Sequence, residues 1–404
     1  MKHDIRSILG LQGYRVGSVE QADDGDTVRV ELPEEGACPQ CGVLSGRGHQ
    51  RAPRPSRLLW GFVGQRPLWV VLRRRRLWCP ECRKAFTQGL PGVARRQRAS
   101  ALAQVAVLGA LREQSFAALK RSWDVSYGRA RRMLLRLPVP WCDWSLLVGT
   151  EGPICLGIDE HSFRGKDLVI TITCLSTHQL LAILPNDRQA SLRTCLRGLP
   201  DELRSRVIGV CIDLKAGFRS VVREVLPHAH VVADHFHVIH DANKRLDETR
   251  RLEQNEAKTT LPRWPLLKAQ ERLTDKQRMR LMELCARFPA LHEHHWLKEQ
   301  LRELYRCVDH AAAERHWHKL LVVMEASDDA AVLLWAKTLR NWRSEILSYF
   351  RLRITNGFTE GCHTKIKLLK RLSYGYRNVE VYIRKMLLGF LPTSFPTLAP
   401  HLLT

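Results

Sequence analysis

The sequence predicts a multidomain protein: a small β-rich unit with paired cysteines, then a basic helical pair, then an α/β layer interrupted by an all-helical insertion. Three observations predict it. Two Cys-x-x-Cys pairs stand among short, turn-rich alternating runs near the N-terminus. Short β-branched runs bounded by turn signals recur between 154 and 234 with helix-like stretches between them, the pattern of interleaved strands and helices. From about 241 to 350 the strand-like runs vanish and helical periodicity takes over. At 404 residues and 45% hydrophobic composition the chain is long enough for two or three domains with cores of their own.

Residues 1–90 contain EGACPQCG, a strand-like QRPLWVVLRRRRLW and CPECRKAF. Each pair, Cys38 with Cys41 and Cys79 with Cys82, places two thiolates on one tight turn, and two such knuckles together make the four-sulfur cage that Zn²⁺ prefers. That shell is closed to water, so a structural zinc-ribbon-like unit is expected rather than a catalytic zinc. The 37 residues between the pairs exceed the usual ribbon spacing, and a strand pair at about 58–78 is expected to fill them. Unmetallated buried thiols are the competing reading. In 91–140 the pattern turns helical from Arg95 to Leu137. SFAALKRSWDVSYGRARRMLLRL, beginning at Ser115, fits a helix, a short turn and a second helix capped by Ser126, which is a helix-turn-helix. Arg129, Arg131, Arg132 and Arg136 on the second helix suit phosphates or base edges, and Arg73, Arg74, Arg75 and Arg76 suit a neighbouring stretch of backbone. An ordinary helical hairpin with basic surfaces has the same pattern.

The balance of 64 Lys+Arg against 41 Asp+Glu gives +23 and points to a polyanion, either nucleic acid or an acidic membrane surface. The charge is local: residues 51–140 hold 20 Lys+Arg against Glu81, Glu113 and Asp124, as a dedicated polyanion-binding module does. No stretch approaches the ~20 apolar residues of a membrane span, and MKHDIRSILG lacks the apolar core of a signal peptide, so a cytoplasmic protein without membrane attachment is expected. Of twelve cysteines, eight are scattered singly outside the two pairs, which in a reducing compartment reads as a metal site plus free thiols.

PVPWCDW reads as a linker, and a second region follows. ICLGID, LVITITCL, QLLAIL, VIGVCID and HVVAD are expected strands within 141–240, with helices in SLRTCLRGLPDEL and KAGFRSVVREVL. The helical insertion at 241–350 shows a capping box, Thr274-x-x-Gln277, and a cap-like Ser327. In 351–404, ITNGFTEG enters a basic helix, CHTKIKLLKRL, followed by YGYRN and the apolar VYIRKMLLGFL.

Three acids carry the chemistry. Asp159 is expected to end the first strand, Asp213 to end the fourth, and Glu360 to open a helix after the insertion, so the three converge at one sheet edge. Carboxylates so placed bind two divalent ions, one activating a water or 3′-hydroxyl and the other steadying the leaving oxygen, as phosphoryl transfer requires. One such aspartate alone is more often a cap or turn former; the trio, framed by LGIDEHSF, VCIDLKAGF and TNGFTEGCH, is less easily explained that way. Asp234 and His237, in the run Asp234-His-Phe-His237, have three readings: metal ligands, groups that orient the acids, or plain structure. Lys365, Lys367, Lys370 and Arg371 recur along the helix after Glu360, either gripping phosphates near the scissile one or forming a solvated basic face.

Taken in order, CPxCG, the later CPxC, the helical pair, GIDEHSFRG, IDLKAGF, VADHFHVIHDANKR, PALHEHHWLKEQLRELY and TNGFTEGCHTKIKLLKRLSYGYRN resemble the ISL-three family of bacterial insertion-sequence transposases over nearly the whole chain. The resemblance implies an RNase H-like catalytic domain with a DDE triad and a helical insertion before the glutamate. It also implies Mg²⁺ or Mn²⁺ at the active site, binding to double-stranded DNA at terminal inverted repeats, and cleavage followed by strand transfer into target DNA. The working unit is expected to be a homodimer on DNA, associated with the bacterial nucleoid. Asp159 matches the first acid and Glu360 the last. Asp213 is taken as the second because it follows the first long helix and ends the fourth strand, while Asp234 and His237 match the D-x-x-H element after it. His363 departs from the pattern, standing where the family often has Asn. A DNA-binding regulator without catalysis, and a nuclease or resolvase without strand transfer, are the alternatives.

Overall fold

The computed structural model describes residues 9–50, 55–94, 96–137 and 139–391; Arg95, where the helical pattern was expected to begin, and Pro138 of the expected linker lie outside them. Two compact units emerge, one of residues up to Trp141 joined by those from Ile366 on, the other of Cys142–Lys365.

In the first unit, β1 (Arg15–Ala22), β2 (Gly25–Glu31), β7 (Arg66–Leu72) and β6 (Ser56–Val63) form one sheet in the order β1-β2-β7-β6. Its alternating apolar residues Val28, Leu58, Trp60, Leu68, Val70 and Leu72 close over Leu11 and Tyr14, the period-2 pattern of a half-buried sheet. Separately, β3 (Gly36–Ala37) pairs with β4 (Leu44–Ser45), and β5 (Gly48–Gln50), β8 (Arg76–Cys79) and β9 (Lys84–Thr87) make a three-stranded sheet. This changes the expectation for 58–78. The strand pair does not extend the cysteine unit; it completes a sheet with β1 and β2, because its inward residues have their own core to fill.

Three helices follow: α1 (Ala101–Leu111), α2 (Phe116–Trp123) and α3 (Tyr127–Arg136). Ser100, Ser115 and Ser126 each cap one by accepting a backbone N–H, a contact of about 1 kcal/mol. The turn from α2 to α3 is Asp124, left-handed at φ 51°, the buried Val125, and Ser126.

The second unit is built on β10 (Ile154–Arg164), β11 (Asp167–Cys174), β12 (Gln179–Leu184), β13 (Val207–Ile212) and β14 (His230–Ala233), in the order β12-β11-β10-β13-β14. The first three form an antiparallel meander, and β13 and β14 join parallel to β10. Helices α4 (Gln189–Arg197), α5 (Asp201–Ser205) and α6 (Ala216–Val225) supply the crossovers. Asp159 therefore does not end its strand as expected. It lies mid-strand, because β10 runs on in a hairpin with β11 after its pairing with β13 stops at Ile158 and Ile212.

The helical stretch comprises α7 (His235–Glu256), α8 (Trp264–Leu267), α9 (Asp275–Arg287), α10 (Pro289–Leu304), α11 (His310–Glu325), α12 (Ala330–Asn341) and α13 (Arg343–Leu352). Leu297, Leu301, Trp317, Trp335 and Ile346 from it share one core with Ile158, Ile172 and Ile212 of the sheet. The Thr274–Gln277 capping box is formed. The cap of α12 is Asp329, whose carboxylate accepts the Ala331 N–H at 2.7 Å, while Ser327 only braces Asp329 at 3.1 Å. No helix among the described residues is long and apolar enough to cross a membrane.

The chain ends its described course in α14 (Gly357–Leu372) and α15 (Val379–Phe390). The stretch 351–404, read as one piece of the catalytic region, is divided: it leaves that unit at Lys365 and continues in the first unit from Ile366. There Lys385, fully buried, donates to the Arg112 carbonyl at 3.2 Å, and Arg384 donates to the Leu137 carbonyl. Both carbonyls follow helix C-termini and lack intrahelical partners.

Candidate active site and metal centre

The four thiols of Cys38, Cys41, Cys79 and Cys82 lie within 4.8 Å of one another. Each knuckle needs a left-handed residue after its second cysteine. In the first it is Gly42 at φ 76°; in the second it is Arg83 at φ 51°. N–H groups of Gln40 and Cys41 aimed at the sulfur lower the Cys38 thiol to about 7, whereas Cys41 beside it pushes Cys82 up to about 12. Four adjacent thiolates repel, and only a bound cation makes their joint ionisation favourable. Atomic emission on purified protein should find about one zinc per chain, and Cys38→Ser or Cys79→Ser should lose the metal and lower the melting temperature; full zinc content in either variant would remove that cysteine from the cage.

At the sheet edge, the construction begins with Gly157. A Cβ there would lie 2.5 Å from Thr359 Oγ1, 2.6 Å from Asn356 Oδ1 and 2.8 Å from Thr173 Oγ1. Into the space left by hydrogen come Asn356, whose side-chain amide donates to the Ile158 carbonyl at 3.2 Å, and Thr359, bonded to Thr173 at 2.7 Å. These contacts seat the first turn of α14 on β10. Glu360 and His363 lie on that helix, and His363 Nδ1 is 3.4 Å from Asp159 Oδ2. Gly157→Ala should cost about 3 kcal/mol of stability by overpacking in urea denaturation of the full chain; an unchanged midpoint would show that the helix does not depend on this close approach.

Asp159, 6% exposed, accepts the Glu160 N–H at 2.7 Å. Asp213 stands just past β13, and its Oδ1 is buried with no hydrogen-bond partner among the described residues. Burial raises Asp159 to about 7 and Asp213 to about 6; His237 opposes both shifts, and the charges of Asp213 and Glu360 add to the shift of Asp159. The three acids thus share one electrostatic neighbourhood with His237. Glu360 itself is exposed. Asp234 is 2% exposed and sits differently: its carboxylate accepts the Asn356 N–H at 3.4 Å and faces His235 Nδ1 at 3.6 Å and His237 Nε2 at 4.0 Å.

The sequence did not single out several neighbours. Lys215, in the IDLKAGF run, pairs with Glu160 and with Asp187 at 3.3 Å. His161 bonds Thr171 at 3.0 Å, and its ring meets that of His363 at a tilt of 54° with ring centres 4.6 Å apart. Tyr305, half-buried, and Tyr349 flank His235. Lys215 had a signal in its position two residues after Asp213; the tyrosines, on distant helices, had none.

The basic candidates differ in setting. Arg132, Arg136, Arg73, Lys365, Lys367 and Arg371 are exposed, and Arg131 and Lys370 half-buried. Arg129 stacks on Trp69 at 5.0 Å, its charge disfavoured by burial. Arg74 is half-buried, Arg75 pairs with Glu34 at 3.8 Å, and Arg76 begins β8.

Both acids are held uncomfortably by burial, and the sign of the pH effect follows. A carboxyl whose folded value lies above its unfolded one favours the folded state in acid and loses that contribution as pH rises through the folded value. In chelator, the melting temperature should fall between pH 5 and pH 8, and Asp159→Asn should flatten the fall; a wild-type profile flat over that range would contradict it.

Buried Asp159, half-buried Asp213 and exposed Glu360 are oxygen donors of the kind hard divalent cations take. The comparisons give the class. A family model described as Transposase, of the ISL3 DDE type, matches residues 156–386, and a second, the zinc-finger of transposase IS204/IS1001/IS1096/IS1165, matches 34–82. The transposase for insertion sequence element IS1001 of Bordetella parapertussis is 27% identical over 403 residues, 96% of this chain and 97% of that protein. The transposase for insertion sequence element IS1557 of Mycobacterium tuberculosis is 26% identical over 271 residues, 59% of this chain and 61% of that protein. Among solved structures, a chain of the Drosophila P element transposase strand transfer complex aligns with 73% of this chain and 92% of its own length at TM-score 0.40 and 10% identity, too distant to bear on the fold. The chain belongs to the ISL3 family of DDE transposases, enzymes of metal-dependent DNA cleavage and strand transfer.

Proposed function

We propose that Asp159, Asp213 and Glu360 form the metal-binding triad of this transposase, acting on the terminal inverted repeats of an insertion sequence. The observation that carries the assignment is the Asp213 carboxylate, whose Oδ1 is buried without a hydrogen-bond partner among the described residues, whereas Asp234 is tied to the Asn356 backbone; the charges of Asp213 and Glu360 also bear on Asp159. The site fits a hard divalent cation: its donors are carboxylate oxygens, one of them buried and unpartnered, and Mg²⁺ or Mn²⁺ prefers such oxygens. When bound, the ions would activate the attacking water or 3′-hydroxyl and steady the leaving oxygen.

The chain's own residues set the geometry. Asp159 is oriented from two sides, by the Glu160 N–H and by His363. Asp234 and His237 serve as positioning groups, bracing the entry to α14 and the field around the acids. Lys215, held by Glu160 and Asp187, stands where a DNA phosphate would compete for it. The strand order β12-β11-β10-β13-β14, a three-strand meander extended by two parallel strands, supports the RNase H-like reading.

The helix pair α2–α3 with its three-residue turn supports a helix-turn-helix, in which exposed Arg132 and Arg136 are the groove-facing bases and Arg129 is a structural stack. Lys365, Lys367, Lys370 and Arg371 would grip backbone phosphates. Joining two element ends in one reaction calls for a second copy of the chain, hence a homodimer on DNA.

In a strand-transfer assay with the element's end DNA and Mg²⁺, Asp159→Ala, Asp213→Ala and Glu360→Ala should each reduce joining by at least ~10³-fold with end binding retained, and Asp234→Ala should leave more residual joining than Asp213→Ala. Joining by Asp213→Ala at the wild-type rate would move the second acid to Asp234.

A further inference from the structure

The YGYRN run after the last basic helix has no role in the reading above. In the first unit it closes a cavity of about 600 Å³ against the opening turns of α2 and α3, a size at which small-ligand pockets occur. Its lining is aromatic and apolar: Phe116, Tyr127, Tyr376 and Val381, with Lys120 and Arg377 also bordering it. Phe116 and Tyr127 meet edge to face with ring centres 5.0 Å apart, yet Tyr127 is left 53% exposed. Tyr376 is fixed by its hydroxyl, which donates to Ser373 at 2.6 Å. The turn that carries it is held by two consecutive left-handed residues, Tyr374 at φ 54° and Gly375 at φ 89°. A tyrosine in that region is strained, and surrounding structure must over-determine it. Lys120 pairs with Asp124, whereas Arg377 is exposed and pairs with no acid among the described residues.

We infer that this cavity holds one unstacked nucleotide of the DNA, its base against Tyr127 and its phosphate on Arg377. Charge complementarity selects the occupant. The cavity opens in the most basic part of the chain, where residues 51–140 hold 20 Lys+Arg against three acids. Aromatic faces with a neighbouring arginine bind any exposed base by stacking, while a paired duplex cannot insert a base into a recess. The inference rests on the chain's being a transposase, not on which acids bind metal.

The test uses the full-length protein and fluorescein-labelled oligothymidine of twenty nucleotides, read by anisotropy beside a duplex of the same length. Tyr127→Ala and Arg377→Ala should each weaken binding of the single strand about tenfold, a loss larger than that for the duplex, and Tyr127→Phe should restore it. An oligonucleotide carrying 5-iododeoxyuridine should photocrosslink to Tyr127 or Tyr376. Single-strand binding unchanged in Arg377→Ala, a surface substitution that spares the fold, would overturn the inference. So would equal losses on single strand and duplex, which would mean a general phosphate contact. Loss of joining in Asp159→Ala with normal oligothymidine binding separates the two sites, so either reading can fail while the other stands.

Discussion

The close approach of α14 to β10 is the constraint on which the catalytic unit depends, and the absent side chain of Gly157 permits it. Asn356 bonds the Ile158 carbonyl and receives Asp234 on its own N–H, contacts that span 198 and 122 residues of chain. Closing so long a loop is unfavourable, although the cost grows only slowly with length. The insertion between the two ends meets it by folding onto the sheet's own core, with Leu297, Trp317 and Ile346 packed against strand residues. Its helices therefore hold the segment of Asn356 and Thr359 in register with β10.

The same arrangement creates an electrostatic conflict. Burial disfavours the charge on Asp159 and Asp213; Asp213 and Glu360 make the ionisation of Asp159 harder, and Glu160 does the same for Asp213. His237 partly relieves it, and His363 contacts Asp159. A fold retains such a conflict when rigid packing over-determines it and a cation resolves it. The cysteine cage faces the same conflict with softer ligands: four thiolate sulfurs at the N-terminal site suit zinc.

What could be read from the sequence was local. The cysteine knuckles, the five strand cores, the Thr274–Gln277 box and the Ser126 cap each follow from a few neighbouring residues, and the structure has them. What escaped depends on partners far along the chain. The length of β10 is set by β11, so the strand does not stop at Asp159. The pair at 58–78 belongs to β1 and β2 because of a shared core, not because of the cysteines it separates. Asp329 outcompetes Ser327 as a cap by two residues of register, and sequence patterns place helix ends less well than helices. Among the acids the motif names the residues, but the burial that distinguishes Asp213 from Asp234 comes from β14, α7 and the turn at Asn356.

One helix joins the two kinds of charge. In α14 an acid, Glu360, lies in the first turn, and Lys370 and Arg371 lie in the last. The helix dipole favours a carboxylate at the N-terminal end and cations at the C-terminal end, so this placement stabilises the helix by itself, whatever else these side chains meet.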